Sequence, residues 1–219
     1  MSGVWVLLPF KGAEGAKRRL APVLTVSERE GLVLAMVRDV LEALTSSTSL
    51  AGVLVVSRDP FAEGLAREFD AEVYADNAND LSGAVREASR FVASQRSASG
   101  TLFVPGDVPL IRADDVDAVL AHHDRVTLVP DAYDVGTNAA ASSPPNAFQY
   151  LFDGKSFKPH IASARRVGIE AQIVRRTAFG LDVDTIAELL AVAARAAGTR
   201  TGTFLTASGV RDKLGCTAE

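Results

Sequence analysis

Three short runs without a polar side chain set the terms for this chain: Val4-Trp5-Val6-Leu7-Leu8-Pro9-Phe10, Val53-Leu54-Val55-Val56 and Leu102-Phe103-Val104. A strand that is apolar on both faces must be covered on both faces, which is the position of a central strand in a parallel sheet. Helical patterns lie between the runs. Thr25-Val26-Ser27-Glu28 fits a capping box, after which Leu32, Ala35, Met36, Val40 and Leu44 fall on one face of a helix ending near Leu44. Pro60 opens a helix to about Phe69, Ala71–Tyr74 reads as a short strand, and Asp80 caps a helix to about Ser94. Ala113-Asp114-Asp115 starts the next helix, with acids where the dipole favours them. His122 and His123 point to different faces and read as its C-terminal cap rather than a metal pair. Arg125–Pro130 and Ile169–Arg175 read as strands, Ser156–Gly168 as a helix, and a last helix runs from Thr185 to about Ala197. Phe204 and Leu205 predict that part of the tail docks on the core. This alternation predicts an α/β fold, a mostly parallel central sheet with helices on both faces.

With 219 residues, 47% hydrophobic and 23% charged, the chain suits one domain over 1–219. A net charge of −4 leaves no basic footprint for nucleic acid. No apolar run approaches the roughly 18 residues of a membrane span, so neither nucleic acid nor a membrane is an expected partner. Residues 4–10 are too short for a signal peptide and lack a basic segment before them. The lone Cys216 excludes an intramolecular disulfide and a cysteine-based zinc site, and the expectation is a cytoplasmic protein.

Three constellations carry chemistry. The loop Lys11–Arg19 holds Gly12 and Gly15 with four cations, Lys11, Lys17, Arg18 and Arg19. Glycines let backbone N–H groups approach an anion, and a following helix end would add a favourable dipole. It is neither a Walker A loop nor a dinucleotide fingerprint, since Gly-Lys-Ser/Thr and GxGxxG are both absent. The second constellation is acidic. Asp107 follows the third apolar run through Pro105-Gly106, at the strand end where ligands bind in such sheets, and Asp182 and Asp184 alternate so that on a strand they share a face. Carboxylates from separate strand ends can hold Mg²⁺, which suits phosphoryl or nucleotidyl transfer beside a basic loop. The third is 131–160, too long and punctuated for a plain connection and read as a substrate-binding insertion. Thr137, Asn138, Ser156, Lys158 and His160 offer it groups for a small acid.

Together these segments resemble the CofC/FbiD family, guanylyltransferases of the deazaflavin coenzyme (factor 420) pathway. The likeness runs from Leu8 to about Leu190 and is carried by Pro9-x-Lys11, Ala16-Lys17-x-Arg19-Leu20-Ala21-Pro22, and Pro105-Gly106-Asp107-Val108-Pro109-Leu110. It continues in Gly136-Thr137-Asn138, Ser143-Pro144-Pro145, Ser156-Phe157-x-x-His160 and Asp182-Val183-Asp184-Thr185. The resemblance implies a GT-A-like (Rossmann-like) nucleotidyltransferase fold and transfer of GMP from GTP to a phosphorylated carboxylic acid, with pyrophosphate released. Family members take phosphoenolpyruvate, 2-phospho-L-lactate or 3-phospho-D-glycerate. It further implies GTP as co-substrate and Mg²⁺, as a pair of ions, on Asp107 and Asp182, with Asp184 a further candidate ligand from its place in the acidic run. Lys11, Lys17 and Asp107 become catalytic; Lys11, Thr137, Asp153 and Ser156 fall to the acid; Gly12, Gly15, Lys17, Arg19, Ser82 and Gly106 fall to the nucleotide. A homodimer is compatible with it.

Three positions depart from the family pattern. Asp153 stands where a glycine is expected, with Gly154 one place later, and its charge would repel an anionic acid unless it turns outward. Ser82 replaces a common Asn near the expected base pocket, and Ile186 a Pro after Asp-x-Asp-Thr. Two other readings stay open on the sequence. One is a nucleotidyltransferase of the same fold acting on a sugar phosphate or a molybdenum cofactor, though its usual Gly-Gly loop with Arg-Met-Gly is missing. The other is a catalytically inactive nucleotide-binding homologue.

Overall fold

The computed structural model describes residues 3–215, so Cys216 lies outside the described residues. The first apolar run forms β1 (Val4–Pro9), and a 3-10 turn (Arg18–Leu20) ends the loop that follows it. Then come α1 (Val26–Thr45), β2 (Leu50–Val56), α2 (Phe61–Glu68), β3 (Glu72–Tyr74), α3 (Leu81–Gln95) and β4 (Gly100–Phe103). The second half supplies α4 (Ala113–Leu120), β5 (Val126–Pro130), β6 (Thr137–Ser142), α5 (Phe157–Arg166) and β7 (Gln172–Ile173). It closes with α6 (Ile186–Ala193), α7 (Arg200–Ala207) and α8 (Val210–Lys213). The strands form one seven-stranded sheet in the order β3-β2-β1-β4-β6-β5-β7.

β1 runs parallel to β2 and β4, β2 to β3, and β5 to β7. Along β1 the side chains alternate. Val6 and Leu8 enter the apolar layer under α1, while Trp5 and Leu7 enter the layer under α3 and α5. Each layer is a separate apolar cluster, so the sheet is covered on both faces as its sequence demands. The caps fall where their chemistry puts them. Thr25 and Glu28 form a reciprocal capping box on α1, and Asp80 Oδ1 accepts Gly83 N at 2.7 Å to cap α3. The tail docks through α7, whose Leu205 is fully buried. Its first turn is anchored on the buried Asp39 of α1, which accepts Arg200 N at 2.7 Å and Thr201 N at 2.8 Å.

The structure corrects five expectations. The stretch 131–160 is not wholly an insertion: its Thr137–Ser142 is β6, buried at all six positions and antiparallel to both β4 and β5. The basic loop leads into a three-residue 3-10 turn, so no helix end adds its dipole there. The helix after Thr185, α6, stops at Ala193 rather than Ala197. Asp182 and Asp184 lie on an irregular segment before α6, not on a strand. The pair His122 and His123 lies past the end of α4, and His123 cross-links the sheet, bonded to Thr127 Oγ1 at 2.8 Å and Ser143 Oγ at 2.9 Å.

Candidate active site

Every candidate site residue after a parallel strand sits at the carboxyl edge of the sheet. β6, running the other way, brings its first residues, Thr137 and Asn138, to the same edge, where Thr137 pairs with Pro130 at the end of β5. Asp107 hangs from the turn after β4. Its backbone carbonyl accepts Val183 N at 3.0 Å, which pins the Asp182–Asp184 segment beside it. Thr185 and Glu188 form the capping box of α6, and the Glu188 carboxylate takes the Asp184 and Thr185 N–H groups. Neither Asp182 nor Asp184 therefore spends its carboxylate on the helix cap, and both face the site.

Lys17 ties the acids together. It adopts a left-handed backbone (φ 50°), and its Nζ lies 2.7 Å from Asp107 Oδ2 and 2.8 Å from Asp184 Oδ1. Burial pulls the ammonium pKa down, but the two carboxylates outweigh it and hold Lys17 above the ordinary lysine value. Asp182 accepts Asn138 Nδ2 at 3.0 Å. Burial pushes its carboxyl above the ordinary aspartate value, and the charges of Asp107 and Asp184 push the same way. Two of the three carboxylates thus share one ammonium, the third is held by Asn138, and the Asp107 Oδ1 atom is buried without a hydrogen-bond partner among the described residues.

This donor set fits a hard cation: it is all oxygen, over-charged, and carries one orphaned carboxylate oxygen. Among the described residues no three His, Cys, Asp or Glu groups are preset around a single point. That agrees with the geometry, because the Lys17 ammonium occupies the space between Asp107 and Asp184 and serves as their counter-charge.

The rest of the basic loop is open. Lys11, Arg18 and Arg19 are exposed, while Gly12 (φ 84°) and Gly15 (φ 65°) hold backbone conformations that favour glycine. Lys11 stands on the rim of a cavity of about 280 Å³ bounded by the ends of β1 and β2 and the loop from β3 to α3. Gly106 turns the chain against Val37 of α1, where an added Cβ would sit 3.3 Å from Val37 Cγ2.

Across from the loop, Thr137 Oγ1 lies 3.0 Å from His160 Nδ1. His160 is fully buried, and its Nε2 accepts Leu151 N at 2.8 Å. With both ring nitrogens engaged inside the protein, His160 supports Thr137 rather than contacting an acid itself, contrary to the expectation from sequence. Ser156 is buried at the start of α5, and its hydroxyl makes no cap hydrogen bond. Lys158 is exposed on α5. Asp153 is exposed, and its Oδ1 accepts Lys155 N at 3.0 Å, so it folds onto its own loop. Ser82 Oγ accepts Phe152 N at 2.8 Å, which fastens the 151–155 loop to the first turn of α3.

The place of Asn138 beside the acids is visible in the sequence only as part of a motif. Its Nδ2 bridges Phe179 O at 2.7 Å and Asp182 Oδ1, and so aligns one of the acids. The 44-residue separation from Asp182 leaves no local signal for that bond.

The architecture is that of the nucleotidyltransferases. Over the whole of both chains it matches, with a TM-score of 0.79 and 17% identity, a crystal structure described as a nucleotide-diphospho-sugar transferase from Desulfovibrio desulfuricans. A nucleotidyl transferase from Methanothermobacter thermautotrophicus matches over 94% of this chain and 100% of its own, with a TM-score of 0.66 and 16% identity. These likenesses establish the fold, an α/β GT-A-like nucleotidyltransferase fold. The sequence narrows the class. Residues 4–217 match the family described as guanylyl transferase CofC like, and the chain belongs to that family. Phosphoenolpyruvate guanylyltransferase of Roseiflexus castenholzii is 37% identical over 85% of this chain and 86% of its own. 2-Phospho-L-lactate guanylyltransferase of Methanothermobacter thermautotrophicus is 32% identical over 91% and 88%. 3-Phospho-D-glycerate guanylyltransferase of Colwellia psychrerythraea is 29% identical over 82% and 86%.

Proposed function

We propose that the chain, acting as one domain over 1–219, transfers GMP from GTP to the phosphate of a small phosphorylated carboxylic acid, and that the acid is phosphoenolpyruvate. The choice among acids follows the relative with higher identity over most of both chains. The observation that carries the chemistry is the acid cluster at the sheet edge, Asp107 and Asp184 on the Lys17 ammonium with Asp182 between them in sequence and held by Asn138. In the reaction a phosphate oxygen of the acid forms a bond to the α-phosphorus of GTP. The bond from that phosphorus to the bridging oxygen of the β-phosphate breaks, and pyrophosphate leaves with the electron pair.

The chain's own part is positioning and charge. Gly12 and Gly15 allow close backbone approach to the phosphates, with Gly106 at the opposite turn. Lys11, Lys17 and Arg19 supply positive charge along the triphosphate. Thr137 and Ser156 direct hydroxyls at the acid, with Lys11 opposite its negative groups. Asp153 is exposed and turned onto Lys155 N, within its own loop. Asp107, Asp182 and Asp184 would hold Mg²⁺, which when bound neutralises phosphate charge and polarises the reacting phosphorus. Ser82, which the family pattern set near the base, acts here through the 151–155 loop that it fastens. These substrates are small soluble molecules, which suits a cytoplasmic enzyme.

The test is pyrophosphate release with GTP and Mg²⁺, run in parallel with phosphoenolpyruvate, 2-phospho-L-lactate and 3-phospho-D-glycerate. Release with phosphoenolpyruvate is expected; no release with any acid above a no-acid control overturns the reading. Asp107→Asn keeps the shape and removes one charge, and is expected to cut turnover by roughly 100-fold or more with the thermal midpoint retained. Retained turnover would remove Asp107 from the site.

A further inference from the structure

The cavity at the ends of β1, β2 and β3 holds a feature that phosphate binding does not use. Pro9, Val56, Leu81 and Ala84 give it apolar walls, and Asp76 lies in it two residues beyond β3. Asp76 is 8% exposed, the most buried of the acids lining this space. Its Oδ1 accepts Ala78 N at 3.0 Å, which fixes the carboxylate plane. The second oxygen accepts no hydrogen bond among the described residues and is not among the fully buried unpartnered atoms, and the residue lines the cavity. The neighbouring acids are placed differently. Asp59 Oδ1 accepts Phe61 N at 2.8 Å and its other oxygen lies against Gly12, and Asp80 caps α3 from an exposed position.

A largely buried carboxylate with a free oxygen in a cavity that also offers apolar surface to a ring is a reader of hydrogen-bond donors, because an ionised carboxylate only accepts. Among the common bases, guanine alone presents two adjacent donors, its ring N1–H and its 2-amino group. Adenine and cytosine place a ring-nitrogen acceptor beside their amino group, and uracil offers one donor flanked by carbonyls. We propose that Asp76 is the residue that selects guanine, by accepting the N1–H and 2-amino hydrogens at the bottom of this cavity. The proposal rests on the guanylyltransferase reading and names the specificity residue of that site. Lys11 on the rim lies on the phosphate side, so the base enters first and the triphosphate runs back along Lys11–Arg19 toward Asp107.

Equilibrium binding tests this without turnover. Wild-type protein and Asp76→Asn are titrated calorimetrically, in Mg²⁺ and without acid, with GTP, inosine triphosphate, xanthosine triphosphate and ATP. Inosine lacks the 2-amino group; xanthine carries a carbonyl there. The asparagine oxygen keeps the Ala78 N–H bond and turns its NH₂ toward the base. Asp76→Asn is expected to lose roughly 10- to 100-fold in GTP affinity, the scale of hydrogen bonds to a charged acceptor. Its preference for GTP over inosine triphosphate should collapse toward one, and its affinity for xanthosine triphosphate should rise above wild type. That gain cannot come from misfolding. Unchanged preferences in Asp76→Asn, or wild-type binding that does not distinguish GTP from ATP, overturns the inference. If the preferences change as expected but pyrophosphate release fails with every acid, the base assignment stands and the proposed reaction falls.

Discussion

His160 makes a quantitative prediction, because its protonation state is dictated by its partners. Nε2 accepts the Leu151 N–H, so the ring proton must sit on Nδ1, which then donates to Thr137 Oγ1. Burial depresses the ring's pKa to about 4, although the charge of Asp153 pulls the other way. A second proton would have to sit on Nε2, facing the Leu151 N–H donor. The folded pKa lies below the ordinary value of about 6.5, so the unfolded chain takes up the proton first. The stability lent by the neutral ring is complete above about pH 6.5 and is lost as pH falls toward 4. The gap corresponds to about 3 kcal/mol, a large share of the roughly 5–15 kcal/mol that holds a domain folded. Urea unfolding followed by circular dichroism from pH 7 to pH 4 measures it in wild type and in His160→Gln. The wild-type curve should fall more steeply, by up to about 1.4 kcal/mol per pH unit, and the two should converge by about 3 kcal/mol at the acid end. His123, whose pKa burial also depresses, titrates in both proteins and cancels in the comparison. Parallel curves would show that His160 is not the buried neutral acceptor described above.

Two further predictions concern the charge cluster. Lys17→Met leaves Asp107 and Asp184 without their ammonium; the loss should be about 1–3 kcal/mol, at the low end for a broken ion-pair network because Asp184 is 47% exposed. Thermal unfolding at pH 7 in chelator should show a midpoint lower by about 2–4 °C per kcal/mol, with Lys17→Arg closer to wild type; an unmoved midpoint refutes the counter-charge role. Asp182→Asn keeps the bond from Asn138 and removes a charge that burial and its neighbours disfavour, so in the same buffer it should raise the midpoint by a few degrees. That gain should shrink as pH falls through the raised folded pKa and be gone below the ordinary aspartate value, where the wild-type carboxyl is protonated in both states; a lower midpoint at pH 7 would contradict the direction of its pKa.

The parallel half of the sheet is legible because burial on both faces leaves a composition. β1 has no polar residue, and β2 and β4 end in unbroken apolar runs. Helix starts are legible because caps are local chemistry: Thr25, Asp80 and Thr185 each reach an N–H three residues on. β6 is not legible for the converse reason. Thr137–Ser142 is TNAAAS, with one β-branched residue and three alanines, and reads as neither a strand nor a helix. It is a strand because both its neighbours are strands and the layers above and below leave room only for small side chains. Ala139 and Ala141 fill one layer and Ala140 the other. That is tertiary context overriding propensity.

The site follows the same division. Its candidate residue types were readable, since carboxylates at strand ends together with glycines among cations suit phosphate chemistry, but its connections were not. Lys17 meets Asp107 across 90 residues and Asp184 across 167, and no periodicity spans such distances. From the sequence Lys17 belonged with the triphosphate; in the fold its ammonium belongs first to the acids. The reason lies in the charge balance at the sheet edge. Three carboxylates crowded at one edge repel one another, and a loop that β1 delivers to the same edge brings an ammonium between two of them. The reversal of β6 completes the arrangement. A parallel strand between β4 and β5 would have carried Thr137 and Asn138 to the far edge, away from Asp107. Running antiparallel, it sets Asn138 against Asp182 and Thr137 against His160, so the acid cluster and the wall opposite the basic loop both begin at the first two residues of one strand that its sequence does not announce.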